Sequence, residues 1–539
     1  MQDSMPAAPA PPGTECQPSV IGTGNGQPGG KAQTGQGSYQ EPVLGFKVPG
    51  DFERFRSILT EVGYTDRGIL DALGVGNFPS IRAGDEALLL WRTRGGTALE
   101  NLIRLFLMLV PVDLELARRA FEPMKIDALV EAGLVRKAGD MAVANIKLLP
   151  YQSFIFAFDP PQRLASGAAH DYVMGIGQSS ITLATLTVRK PCRQVLDLGT
   201  GCGIQALLAA RHSQRVLAVD RNPHAVRLAF FNARLNGMDH VECLEGDLFE
   251  PVPDQRFDLV VANPPFVISP DNRYIYRDSG MPGDQICQSI VQQVPRFLEE
   301  GGYAQVLCNW VEPSDQDWRE RLSSWFDGSG CDAWVIRSER RDAALYASTW
   351  IRHTEAFNPA EQGTLFDEWM RYYQELGIEA MSAGLITMRR RSCASNWYRA
   401  DDAPEKMIGP CGDSVAMGFD LTDFLEAHKD DSALLDSRLR VSSDVRLEQT
   451  WAASIEQWQE VAAQLYLARG FAFAGNVDSL VAQLVLRSDG RRRLGDLLAE
   501  LAVALETDLN GVVAGACSIV RQLVQRGFLL PLHIGPVTP

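Results

Sequence analysis

Four short segments between Val195 and Phe266 carry residue types that bind and react. The first, Asp197-Leu198-Gly199-Thr200-Gly201-Cys202-Gly203, sets glycines at alternate positions. Lacking Cβ atoms, they can take positive φ and let a ligand lie against the backbone. Ile204 to Arg211 then reads as a helix whose first N–H groups face that ligand. A dinucleotide fingerprint would be G-x-G-x-x-G; here the third glycine comes one residue early. The second segment is Val216 to Asp220, an apolar run ending in an acid. In open α/β sheets an acid about 20 residues after the glycines hydrogen-bonds ribose hydroxyls. The third is Glu245-Gly246-Asp247, and the fourth is Asn263-Pro264-Pro265-Phe266.

Each segment follows an apolar run of strand length: Val195 to Leu198, Val216 to Val219, His240 to Leu244 and Phe257 to Ala262. Between the second and third, Arg221-Asn222-Pro223 opens a helix that Asn236-Gly237 stops. Strands alternating with helices predict a parallel sheet whose polar loops share one edge, where ligands of such sheets bind.

With these pieces in order, residues 170–395 resemble the class I S-adenosylmethionine-dependent methyltransferases. The resemblance rests on DLGTGCG, Asp220, Gly246-Asp247 and Asn-Pro-Pro-Phe. It implies an α/β, Rossmann-like, seven-stranded core with adenosylmethionine as cofactor; no metal is expected, since the cysteines and histidines show no ligand spacing. By resemblance, Asp197, Gly199, Thr200, Gly201 and Gly203 line the methionine end. Asp220 takes the ribose hydroxyls and Asp247 faces the adenine, with Arg221, Leu248 and Asn263 in the same site. The tetrapeptide marks members that methylate a planar NH2 nitrogen, either a base amine or a glutamine amide.

The lone pair of such a nitrogen is delocalised and poorly nucleophilic. The Asn263 side-chain oxygen and the Pro264 carbonyl can accept both N–H hydrogens and concentrate electron density on nitrogen. Pro264 and Pro265 fix φ and hold the acceptors, and Phe266 offers a flat face for stacking. Catalysis is then mostly positioning and a preorganised pair of acceptors. The alternative is an ordinary Pro-Pro turn after a buried strand.

The segment 267–284, with Arg273, Tyr274, Tyr276 and Arg277, is long enough for a functional lid. In the HemK-like release-factor glutamine methyltransferases a similar loop follows the tetrapeptide and ends in a glycine-rich turn, here Gly280 to Asp284. The order continues with strands over Gly301 to Asn309, Cys331 to Arg337 and Ile378 to Arg389. One departure is Phe266, where the glutamine enzymes usually carry Tyr and ribosomal-RNA base methyltransferases commonly carry Phe. Upstream, Gln178 and Ser179 fall where the family covers the methionine end of the cofactor; a plain helix start is the other reading.

The whole chain has 539 residues, room for about two to four domains. A net charge of −16 argues against a surface that coats nucleic acid generally. No cysteine pair has zinc or disulfide spacing, and no apolar run of about 18 residues or signal peptide is present, so a cytoplasmic protein is expected. Residues 1–40, rich in Gly, Pro and Gln, read as a disordered tail. Residues 41–165 read as a mainly helical, winged-helix-like N-terminal domain. It has helices over Phe52 to Val62, Leu99 to Val110, Leu114 to Phe121 and Ile126 to Ala132, then strands Leu134 to Lys137 and Met141 to Leu149. The methyltransferase domain spans 166–398, and 399–539 read as a second helical, winged-helix-like domain of net negative charge. The partner expected is a macromolecule, either a protein glutamine or an RNA or DNA base amine. A non-catalytic binding protein that keeps the fold is the reading of another class.

Overall fold

The apolar runs of the chain pair into an eight-stranded sheet in the computed structural model, which describes residues 44–78, 84–165, 170–271, 273–354, 359–454, 457–504 and 509–534. The expected tail over 1–40 lies outside the described residues. The strands are β1 (Cys192–Leu198), β2 (Ser213–Asp220), β3 (Val241–Glu245), β4 (Phe257–Ala262), β5 (Leu298–Pro313), β6 (Cys331–Asp342), β7 (Ile378–Arg390) and β8 (Tyr398–Asp402). Across the sheet they run β8-β6-β7-β5-β4-β1-β2-β3. β1 to β5 are mutually parallel, and β7 is antiparallel to both neighbours. Val195 to Leu198 of β1 and Val216 to Val219 of β2 are buried without interruption. That is the pattern of strands covered on both faces.

The expectation of seven strands is corrected by β8, which pairs parallel with β6 and crosses the expected boundary at 398. Its sequence, Tyr-Arg-Ala-Asp-Asp, is partly exposed throughout and carries no apolar signal. What holds it is specific: besides the ladder, the Trp334 indole N–H donates to Asp401 at 2.8 Å.

Helices α1 (Gln178–Leu186), α2 (Ile204–Ala210), α3 (Pro223–Leu235) and α4 (Gln285–Gln293) cover the sheet around the first four strands. A Cβ on Gly203, at φ +83°, would sit 3.2 Å from the Ala229 Cα, so α2 and α3 can cross there only over a glycine. Between β6 and β7 the chain inserts a helical pair, α5 (Ala343–Thr354) and α6 (Pro359–Glu375). Its Tyr346, Ile351, Trp369 and Tyr373 share a buried cluster with Val267 and Ile268, just past the Asn-Pro-Pro-Phe turn.

The N-terminal part differs from expectation in several places, beginning with helices at Asp66–Leu73 and Glu86–Arg92 that the sequence reading lacked. The helix expected over Leu99 to Val110 is α-helical only at Ala98–Leu102 and continues as a π-helix over Ile103–Leu107. Pro111 bars its extension, because the residue before a proline avoids helical φ/ψ. The strand expected over Met141 to Leu149 is two strands. Met141–Ala144 pairs with Val135–Ala138 and with Val112–Asp113. Lys147–Tyr151 instead forms a hairpin with Phe154–Phe158, an all-buried strand absent from the sequence reading.

That strand is docked by two asparagines of the α3 region. Asn232 exchanges hydrogen bonds with the Ala157 N–H (2.7 Å) and C=O (2.9 Å), and Asn236 with those of Ile155 (2.9 and 2.8 Å). Two side-chain amides thus stand in for a neighbouring strand. Apolar packing follows the same seam, with Phe231 of α3 against Phe46 and Phe52.

The C-terminal part holds the expected helices, at Ser479–Arg487, Leu494–Ala504 and Leu509–Gln525. It also holds a sheet that the sequence reading lacked, formed by Val445–Ser454, Gln457–Leu467 and Ala474–Asn476. It is seated on the core by α7 (Gly412–Ala427). A Cβ on Gly412 would lie 1.9 Å from the Thr187 carbonyl oxygen, and one on Gly418 would enter the Trp334 ring. Arg389 of β7 adds ion pairs to Asp332 of β6 and Asp423 of α7. Among the described residues no helix is long and apolar enough to cross a membrane.

Candidate active site

Where β1, β2, β3 and β4 end, a cleft opens that encloses about 1050 Å³ with its mouth included, room for a nucleoside-sized ligand. Its floor is the glycine turn. The Gly199 and Thr200 N–H groups donate to the Val219 carbonyl at 2.9 and 3.0 Å, which staples the turn to β2. Gly199 and Gly201 both take positive φ, and a Cβ on Gly201 would meet nothing within 4 Å. The backbone there faces open space, a cradle that fits a ligand approaching the main chain.

Asp197 does not line the cleft. It is buried beneath the turn, where one carboxylate oxygen accepts from Thr200 Oγ1 (2.6 Å) and the Ala206 N–H (2.9 Å). Burial pushes its carboxyl up to about 7 despite these bonds. Asp220 accepts from the Gly201 and Asn222 N–H groups, both at 2.9 Å, and burial raises its carboxyl as well. Gly246 N–H donates to the Asp220 carbonyl at 3.1 Å, bringing the loop after β3 to the same edge.

The structure gathers Gly199, Thr200, Gly201, Asp220, Arg221, Asp247, Leu248, Asn263, Pro264 and Pro265 around this one cleft. Asp197, Gly203 and Phe266 stand outside its lining. Gly203 caps α2, and the half-buried Phe266 ring packs against three apolar clusters. Asn263 and Pro264 lie directly beside Gly199, 3.7 Å and 3.9 Å from where its Cβ would be. The Asn263 amide nitrogen donates to Ser179 Oγ at 3.3 Å, from the end of β4 to the first turn of α1.

The far wall is made by Tyr172, Val173, Met174 and Gly175 together with Ile275 and Tyr276 of the segment expected to serve as a lid; that the two stretches meet was not expected. The Tyr172 and Tyr276 rings meet edge to face at 5.6 Å. The two stretches lie about 100 residues apart, and periodicity cannot join them. The segment 267–284 is pinned. Asp278 and Arg277 are buried as a pair at 2.7 Å, and the Asp278 carboxylate also accepts from Ser269 Oγ and the Arg273 and Tyr274 N–H groups. The inserted helices clamp it from outside. Tyr373 donates to the Ile268 carbonyl (2.8 Å), and Tyr346 and Tyr372 accept from the Ile268 and Gly283 N–H groups.

A glycine turn after β1, an acid ending β2 and a cleft across their ends make a nucleotide-type ligand site at the carboxyl edge of a parallel sheet, as the resemblance to class I adenosylmethionine-dependent methyltransferases implies. The comparisons agree and go one step further. Residues 176–327 match the family Methyltransferase small domain. Residues 61–145 and 416–531 match two domains of unknown function, DUF7059 and DUF7782. A Methanocaldococcus jannaschii protein named as a putative protein N5-glutamine methyltransferase is 32% identical over 145 residues, 26% of this chain and 73% of that one. The release factor glutamine methyltransferase of Escherichia coli is 34% identical over 138 residues, 23% of this chain and 48% of that one. Among solved structures, a T. thermophilus 16S rRNA N2 G1207 methyltransferase in complex with AdoMet and guanosine aligns at 17% identity and a TM-score of 0.26. It covers 52% of this chain and 64% of that one. The chain belongs to the HemK-like class I methyltransferases, with S-adenosylmethionine as cofactor. It spans about half the length of the release-factor relatives it matches.

Proposed function

We propose that the chain transfers a methyl group to a planar NH2 nitrogen of a macromolecule, with a protein glutamine amide as the first choice of acceptor. The observation that supports this most is the Asn263-Pro264-Pro265 turn on the cleft wall, next to the glycine cradle. When bound, adenosylmethionine supplies an electrophilic methyl group on a sulfonium, whose C–S electron pair stays with sulfur on transfer. In this reading the Asn263 Oδ1 and the Pro264 carbonyl accept the two N–H hydrogens of the acceptor. The nitrogen lone pair forms the new C–N bond, and one N–H proton leaves to water. No strong base is required, since the proton becomes acidic as the bond forms. The fixed φ of two successive prolines keeps the acceptors from turning away. In this reading Asp220 would hold the ribose hydroxyls and Asp247 would face the adenine.

An RNA base amine is the second reading, favoured by Phe266 at the position where glutamine enzymes usually carry Tyr. The N-terminal helices followed by the hairpin of Val135–Ala138 and Met141–Ala144 support a winged-helix-like module. A module of that kind suits a large acceptor more than a small one. The test is transfer of tritiated methyl from adenosylmethionine into an extract of cells lacking this protein, followed by RNase or protease. Label released by protease supports the glutamine reading, and label released by RNase supports the base amine. Label in neither overturns a macromolecular acceptor.

A further inference from the structure

The cleft wall at Tyr172 to Gly175 is tied to the ribose side of the cleft by a closed ring of polar contacts. Asp220 Oδ1 accepts from the Asn222 N–H at 2.9 Å, and Asn222 Nδ2 donates to the Asp171 carbonyl at 2.8 Å. Arg163 bridges the Asp171 carboxylate (2.8 Å) and the Asp159 carboxylate (2.7 Å). The other Asp159 oxygen meets His224 Nε2 at 2.9 Å. His224, through its backbone N–H, returns to the Asn222 side chain at 2.9 Å. Asp159 also accepts from the Val173 N–H at 2.8 Å, so it grips the wall by its main chain. Asp159 and Asn222 are each 3% exposed.

We propose that Asp159 and His224 are positioning residues for the cofactor: through this ring they hold Tyr172 and Val173 in place over the cleft and so set the affinity for adenosylmethionine. Neither residue lines the cleft. Asp159 directly follows the docked strand Phe154–Phe158, and His224 stands in the first turn of α3. Packing holds the side chains of the wall, with Tyr172 and Val173 buried, Tyr172 against Tyr276 and Gly175 against the Phe158 ring, and the ring of polar contacts adds the grip on its main chain. Burial alone would push the Asp159 carboxyl up. The hydrogen bond and charge of His224, with Val173 N–H and Arg163, outweigh that and hold it below the usual carboxylate range. Asp159 is therefore kept charged, and a charged acceptor binds a main-chain N–H and a guanidinium more strongly than a neutral one.

The test is calorimetry of adenosylmethionine and of S-adenosylhomocysteine on the full chain, with circular dichroism showing that each variant is folded. Asp159→Asn should weaken both ligands about 10- to 100-fold, the range for losing hydrogen bonds to a charged group, and His224→Gln should weaken them less. Asp401→Asn, which removes a charge on the far edge strand, serves as the control and should stay within about twofold of wild type. Tyr172→Ala should also weaken binding, and adding it to Asp159→Asn should bring little further loss, because both act through one wall. Unchanged affinity in folded Asp159→Asn and His224→Gln overturns the proposal. Losses that simply add with Tyr172→Ala overturn it too, since they would show Asp159 acting by another route. If Asp159→Asn does not fold, the same double-variant comparison made with His224→Gln decides.

Discussion

Asn232→Leu should undo the docking of the Phe154–Phe158 strand while leaving the main sheet intact. The replacement matches the side chain in size and removes its polar atoms. Asn232 is fully buried and makes three short bonds, to the Ala157 N–H, the Ala157 C=O and the Cys202 C=O. Each buried group left without a partner costs about 1–3 kcal/mol, and a carbonyl with a second contact costs less. The expected loss is therefore about 3–6 kcal/mol for opening that strand. Asn236 makes a matching pair of bonds to Ile155 but is only half-buried. Water can replace it, so Asn236→Leu should cost about 1–2 kcal/mol. Native-state hydrogen exchange reads this directly, as the opening free energy of the Ile155 and Ala157 amides. Protection at Ala157 should drop by a factor on the order of 10² or more in Asn232→Leu and clearly less in Asn236→Leu. Equal protection in wild type and Asn232→Leu would refute the idea that side-chain amides, rather than apolar packing, hold the strand.

Other expectations follow from the site and its surroundings. Asn263→Ala should bind adenosylmethionine nearly normally in calorimetry yet lose turnover in the tritium assay by a factor on the order of 10²–10³, the usual loss for one preorganised polar group. Asp197 has its carboxyl raised to about 7, so the folded state holds a proton that the unfolded state releases from about pH 4 upward. Wild type should lose stability relative to Asp197→Asn as pH rises from about 4 to about 7, on the order of 4 kcal/mol in all. Denaturant unfolding without ligand at pH 5 and pH 8 checks this, and a gap between the two proteins that does not change with pH contradicts it. Gly203→Ala should cost about 2–3 kcal/mol from positive φ and the approach of Ala229, measured as a shift in thermal midpoint. Tyr373→Phe removes the bond to the Ile268 carbonyl and should lower amide protection across 267–284 by roughly 1 kcal/mol.

The core of the fold was legible because its strands are short apolar runs that end in polar loops, a pattern that survives without tertiary information. The floor of the site was legible for the same reason: Gly199 to Gly203, Asp220, Asp247 and Asn263 each close one such run. What was not legible is what pairs across the sequence. Nothing in His224 points to Asp159, and nothing in Tyr172 points to Tyr276; each pair meets only because two segments fold against each other. Edge strands also escaped. β8 is mostly polar, and Val445–Ser454 is exposed along nearly its whole length, so neither carries the alternation that marks a half-buried strand. The split of Met141 to Leu149 escaped because Asn145 turns its side chain to the Gly133 carbonyl, a tertiary contact at a position that reads locally as strand.

The shared seams bear on how such a gene can be rearranged. A segment cut to residues 176–327, the span of the methyltransferase match, would lack β6 as well as β7, which pairs along its length with β5. It would also strip Phe231 of Phe46 and Phe52 and leave Thr187 without the glycine of α7 that rests on it. Recombination between relatives therefore has few neutral breakpoints here: an exchanged catalytic segment must bring its own flanks, or flanks already shaped to the same three seams. Flanks and core should then show a common inheritance, tracked as one block rather than as three exchangeable cassettes.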